Sequence, residues 1–483
     1  MMVLADRYRI RIPLLIFMGG IAFGFLLVFF FRFFKNTYAT FLTCGLLVPF
    51  IVIIVGNSKH FLLAILTMLL PITVDITLNN TGHIGGTAGY VISAFDIVLA
   101  VLYLLWFNEM VRKKNLSVDL FPRISIPAFF LIAIAALSMV FAKFPLLSKF
   151  ELIEVVKMYF CFFYFANNIK SERDVQFLVL FLLSGLFLES IIGFAQHRYG
   201  DPFWPTALGG PPRIEGSRIN GTWLSFNDFS WYLGLILPIA LSMLFSGIKL
   251  IYKLICGLTF FLGCGSLMWT NSRGGWISFA IAAIFVALCV FRNIKGKVGL
   301  IKTFAWIIAV FIFISPIYPR LAAKFYDRFG GSDAGAAESR LPQYEVAYKI
   351  IKENPIIGIG INNYTKIMGK YDVTEDGLES ITRHPVHNIF LHIAAEIGIF
   401  GITVFLWLIS SILIEGIKYI VSNQDFIAYT VIGMIAGIIA FLVHGLVDTA
   451  SLGNKLYMFI WFFAAIIFAV NKNVSGFHHP SPS

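Results

Sequence analysis

Apolar runs of roughly 20 residues, the length at which a helix crosses a bilayer, follow one another along almost all of the 483-residue chain. A backbone in hydrocarbon has no water to satisfy its N–H and C=O groups, so uninterrupted runs of this length are read as helices. The first, Pro13 to Phe31, follows Arg7, Arg9 and Arg11, which orients the N-terminus to the cytoplasm. It is too long for a typical removed signal peptide and lacks the small-residue cleavage site. Further spans are read near 38–56, 60–76, 89–107, 124–142, 151–168, 174–195 and 226–246. Two more flank Asn271–Gly275, one ends near Ile317, and three lie near 388–415, 426–446 and 455–471. The expected fold class is an all-α polytopic membrane protein with about 12–14 transmembrane helices, both termini cytoplasmic.

Composition agrees with that class. Hydrophobic residues make up 58% of the chain and charged residues 13%, which excludes ordinary soluble usage. The net charge of +11 comes from short loops such as Arg112-Lys113-Lys114 and Lys249 with Lys253, the cytoplasmic bias of a membrane protein. It is not a nucleic-acid signal, and no nucleic-acid partner is expected. Arg32, Lys35, Lys143 and Lys149 run against the bias. The five cysteines, Cys44, Cys161, Cys256, Cys264 and Cys289, all fall in apolar runs without metal-ligand spacing and read as small buried hydrophobes.

The chain divides into N-terminal spans over 1–200, a core over 201–450 and a last span with its tail over 451–483. Within the core lies the largest loop, 318–386, which the orientation places outside the cytoplasm. Ser339 is suited to cap a helix there, Pro342 is tolerated in its first turn, and Leu341, Tyr344, Ala347, Ile350 and Ile351 fall mainly on one face. Asn354-Pro355 ends that helix, and Gly358 and Gly360 permit a tight turn.

Five arginines, Arg213, Arg218, Arg273, Arg340 and Arg383, are placed on the outer side against the usual bias. A guanidinium fixed at such a boundary grips a phosphate or diphosphate through paired N–H donors; it also serves simply to snorkel to lipid headgroups. Arg383, His384, His387 and Asn388 sit together where the loop ends and an apolar run begins. There His387 and Asn388 either take part in chemistry or only cap and anchor a helix. Glu396 lies two to three turns deeper, where an ionisable group marks function or a buried pairing. His444 with Asp448, Glu189 and Asp96 are further ionisable residues within or near spans, read as lining a cavity or as pairing inside the bundle.

The order of motifs resembles the O-antigen ligase/polymerase superfamily. Arg218 with Asn220-Gly221-Thr222 and Asn227 is similar to the family's earlier arginine motif, and Ser272-Arg273-Gly274-Gly275-Trp276 to its second. Arg340 with the helix after it, Asn354-Pro-x-x-Gly358-x-Gly360, and His387-Asn388-x-x-Leu391-x-x-x-x-Glu396-x-Gly398-x-x-Gly401 complete the resemblance, which covers roughly 200–450. It implies a GT-C-like arrangement with a helix-bearing periplasmic loop in the bacterial inner membrane. The implied activity is metal-independent, inverting glycosyl transfer from an undecaprenyl-diphosphate-linked glycan, with no cofactor and no metal. Ligases of the family pass the glycan to lipid A–core, polymerases to another repeat unit, and some relatives to protein hydroxyls. The resemblance implies His387 as base and Arg218 and Arg273 as the diphosphate grip, with Arg213, Arg340, Arg383, His384, Asn388 and Glu396 supporting. His384 departs from the pattern by offering a second imidazole beside the first, and His392 offers a third. A lipid-linked oligosaccharide flippase or exporter is the non-enzymatic alternative. Such a protein is expected to carry basic residues within its spans and often internal repeats, neither of which stands out.

Overall fold

The computed structural model describes residues 58–72, 75–113, 118–200, 218–293, 340–374 and 384–473. Helices dominate in chain order: α1 Ser58–Leu69, α2 Ala94–Lys113, α3 Ser125–Phe141, α4 Pro145–Asn168, α5 Glu172–Tyr199, α6 Phe226–Met243, α7 Leu250–Trp269 and α8 Arg273–Asn293. After them come α9 Leu341–Glu353, the single turn α10 Tyr364–Ile367, α11 Ile389–Ser422, α12 Phe426–His444 and α13 Lys455–Lys472. Seven described helices are long and apolar enough to cross a membrane, and α1 and α3 are shorter apolar helices. The chain is thus an all-α polytopic membrane protein. The expected spans 13–31 and 38–56, and the one ending near Ile317, lie outside the described residues.

Local sequence explains where the helices start. Ser171 and Asp174 form a reciprocal capping box at α5, and Ser225 accepts from the Asp228 amide at α6. Asn388, Asp425 and Asn454 cap α11, α12 and α13 with their side-chain oxygens. α13 is buried from Leu456 to Val470 and forms the centre of the bundle, in contact with α4, α6, α11 and α12. By contrast, α2 leaves Leu104, Phe107 and Val111 exposed, as a helix with one lipid-facing side does.

One element departs from the helical reading. Asp75–Leu78 (β1) and Tyr90–Ser93 (β2) pair as an antiparallel hairpin, Asp75 opposite Ser93 and Leu78 opposite Tyr90. The runs read as spans near 60–76 and 89–107 therefore end and begin in strands. Lys157 of α4 holds the hairpin by donating to the Val91 carbonyl and pairing with Asp96, each at 2.8 Å. The tip leans on the loop before α11, where a β-carbon on Gly85 would stand 3.3 Å from Pro385.

The α9 helix forms as expected, with Arg340 as its flanking residue and Pro342 in its first turn, while Ser339 lies outside the described residues. The face it buries is Val346, Ala347 and Ile350; Leu341 points outward. After α9, the glycine turn docks onto a break in α11, where Gly398 takes φ +70°. Ile359 and Gly360 donate to the Ala395 and Glu396 carbonyls at 3.0 Å each, and Ile399 donates to Pro355 at 2.8 Å. The loop thus supplies the hydrogen bonds that the break removes, which is what makes an interrupted helix tolerable at this depth. Gly398 allows this docking, because a β-carbon there would overlap the Ile356 carbonyl.

Candidate active site

The arginine side is built by α5. Glu189, fully buried, accepts from the Thr222 hydroxyl at 2.5 Å and the Thr222 amide at 3.0 Å. Two turns on, Gln196 accepts from the Asn220 and Gly221 amides and donates to the Gly221 carbonyl. This clamp holds Asn220-Gly221-Thr222, with Gly221 at φ +58°, and so fixes the entry of the chain from Arg218. The Arg218 guanidinium lies 3.1 Å from the Phe226 ring centroid, and its Nε and Nη2 donate to the carbonyls of Thr270 and Asn271 at 3.0 and 3.4 Å. Those carbonyls belong to the turn that opens α8 at Arg273, so both arginine motifs meet at one place. Gly275 seats the turn against Ser230 of α6, and Gly274 seats it against His444 of α12.

The histidine side is stitched to the turn between α12 and α13. Asn388 caps α11 through the Phe390 and Leu391 amides and donates to the Leu446 carbonyl at 3.2 Å. Next to it, Ile389 donates to the Gly445 carbonyl at 2.8 Å. These bonds hold His387 over Asp448, with 2.9 Å between Nδ1 and Oδ1, and the His387 amide donates to Gln343 of α9. The imidazole is 30% exposed and the carboxylate 9%, so the pair is open on the histidine side alone. Burial pushes the Asp448 carboxyl up. The His387 hydrogen bond, the electrostatic pull of His444 and His387 and the Thr449 amide outweigh it, and hold the group below its ordinary value. An ionised carboxylate has no proton to give, so the shared hydrogen sits on Nδ1.

Other expected residues take supporting places. Arg340 lies at the start of α9, within electrostatic reach of His444, and His384 is exposed at the loop edge. Glu396 is buried and accepts from the Tyr364 amide at 3.1 Å, with His392 at 3.6 Å, so it organises the glycine turn away from His387. Asp96, Glu189 and the His444–Asp448 pair all turn out to be engaged within the bundle. Arg213 and Arg383 lie outside the described residues. Asp448 as the partner of His387, Gln196 and Gln343 were not singled out from sequence. For Asp448 the available signal was its i, i+4 spacing from His444.

Residues 258–406 match the family model described as O-Antigen ligase. The match takes in Arg273, Arg340, the glycine turn, His387 and Glu396, while Arg218, His444 and Asp448 lie on either side of it. A search of curated proteins finds no match to the chain. Over that segment the chain is similar to the O-antigen ligase family.

Proposed function

We propose that the protein is a bacterial inner-membrane, inverting glycosyltransferase of the O-antigen ligase type. It moves a glycan from an undecaprenyl-diphosphate-linked donor to an acceptor hydroxyl, on lipid A–core or another glycan, at the periplasmic face. The observation that carries this reading is that the His387–Asp448 pair is linked through His444 to the turn bearing Arg273, to which Arg218 is hydrogen-bonded. The donor diphosphate lies against the two guanidiniums. The acceptor oxygen attacks the anomeric carbon from the opposite face and passes its proton to His387 Nε2. The carbon–oxygen bond to the diphosphate breaks, and the leaving group departs with the electron pair. Asp448 stabilises the imidazolium that forms, and the arginines stabilise charge growing on the diphosphate without a metal. The proton then passes to water.

Purified protein given undecaprenyl-diphosphate glycan and a lipid A–core acceptor in EDTA should form the glycoside with inverted anomeric configuration. Retention of configuration, or loss of transfer in EDTA with recovery on adding Mg²⁺, would overturn the mechanism. Transport of the lipid-linked glycan across vesicles with no transfer would replace the enzyme reading.

A further inference from the structure

Asp448 serves two imidazoles. Its Oδ1 is taken by His387 Nδ1 and the Thr449 amide, each at 2.9 Å, while Oδ2 faces His444 Nε2 at 3.8 Å. At that distance the second contact is electrostatic, too long for a hydrogen bond. His444 is 2% exposed, its ring stacked on Trp231 with centroids 4.6 Å apart and planes 24° apart. Its Nδ1 has no hydrogen-bond partner among the described residues. The other edge of the ring abuts the arginine turn: a β-carbon at Gly274 would stand 2.7 Å from His444 Cδ2 and 2.9 Å from Nε2.

We propose that His444 is a positioning residue that couples the acceptor base to the donor grip, by bridging the carboxylate behind His387 and the turn that presents Arg273. The inference rests on the transferase reading above. Attack opposite a leaving group requires base and leaving-group clamp at a fixed separation, and a displacement of about 1 Å costs on the order of a hundredfold. His387 and Arg273 belong to helices that start at separate loops, so something rigid between them must set that separation. His444 occupies that place. The groups facing it are Asp448 on its own side, the Arg273 turn of α8, Arg340 of α9 and Trp231 of α6, with His387 beyond the carboxylate.

The test is a set of variants assayed for transfer from undecaprenyl-diphosphate glycan, with folding checked by size exclusion in detergent. His444→Phe keeps the stack on Trp231 and the contact with Gly274 but removes Nε2. It should lower kcat at least tenfold with donor KM within twofold of wild type, and His444→Gln should recover part of the loss. Gly274→Ala should lower kcat in the wild-type background and much less in His444→Ala, where the space has been vacated. A wild-type kcat for His444→Phe overturns the proposal, as does an equal Gly274→Ala penalty in both backgrounds. Wild-type protein that transfers nothing from any lipid diphosphate overturns the transferase reading itself, and this inference with it.

Discussion

Arg218 Nε lies 3.0 Å from the carbonyl oxygen of Thr270, so one arginine motif is fastened to the backbone of the turn that presents the other. An ammonium has no planar fork with which to hold that carbonyl and a diphosphate together. Replacing Arg218 or Arg273 with Ala should remove a charge-assisted contact worth about 1.5–3 kcal/mol, lowering kcat/KM at least tenfold. Lys should restore only part, and least at Arg218. Wild-type transfer by both alanine variants would reduce the arginines to interfacial anchors.

Gln196 touches no substrate in the proposed mechanism, yet it makes three hydrogen bonds to Asn220 and Gly221. Gln196→Ala leaves buried backbone groups without partners at a cost of about 1–3 kcal/mol and loosens the segment that carries Arg218. Donor KM should rise by roughly tenfold, at about 1.4 kcal/mol per decade, with kcat changed less. Titrating donor at saturating acceptor separates the two constants. A change in kcat alone would contradict this role for Gln196.

Gly398 supports φ +70° where a β-carbon would overlap the Ile356 carbonyl. Gly398→Ala should therefore destabilise by more than the ~1 kcal/mol that the same exchange gains at a compatible site, by parting the 355–360 turn from α11. Thermal unfolding in detergent should show a lower midpoint than Gly247→Ala, where a β-carbon meets nothing within 4 Å. Equal midpoints would mean that the break in α11 relaxes at no cost.

Much of this fold could be read from hydrophobicity, because a helix in hydrocarbon has few alternatives. Every described span has its counterpart in the apolar runs, and Asn388 caps its helix as its residue type suggests. The β1–β2 hairpin was not legible. Its strands are four residues each, and Ile76, Thr77, Val91 and Ile92 continue apolar runs whose period such short windows cannot resolve. The break at Gly398 was equally hidden, since it depends on amides some forty residues earlier that satisfy the freed carbonyls. In the site, His387 and the arginines stood out as polar groups at membrane boundaries. Asp448 lies 61 residues from His387, and only the folded chain brings them together.

Asp448 also carries a pH signature. Its folded value is held below the ordinary 3.8, so its contribution to stability is complete above the unfolded value and lost as pH falls through the folded one. The melting difference between wild type and Asp448→Asn should be constant above about pH 5 and close below about pH 4. At neutral pH the amide presents a hydrogen-bond donor where His387 Nδ1–H needs an acceptor. Transfer should fall on the order of a hundredfold or more, with donor binding retained. A stability gap that widens in acid would show that the carboxylate is not the ionised partner.

The His387 prediction tests the chemistry itself. Asn388 and the α12–α13 turn hold the imidazole over Asp448, and in the proposed mechanism its Nε2 takes the proton of an incoming hydroxyl. His384 is exposed at the loop edge and His392 is buried against Glu396, whereas His387 is hydrogen-bonded to Asp448. Loss of a general base typically costs about 10²–10⁴-fold. His387→Ala should fold, bind donor and transfer at about that reduced rate, while His384→Ala stays within a few fold of wild type. His387→Ala with Asp448→Asn should be scarcely worse than His387→Ala alone, because the carboxylate acts through the imidazole. The measurement is transfer from lipid-linked donor in EDTA, with donor binding followed alongside. Near-normal turnover by His387→Ala, or a loss confined to His384→Ala, would assign the base to another residue.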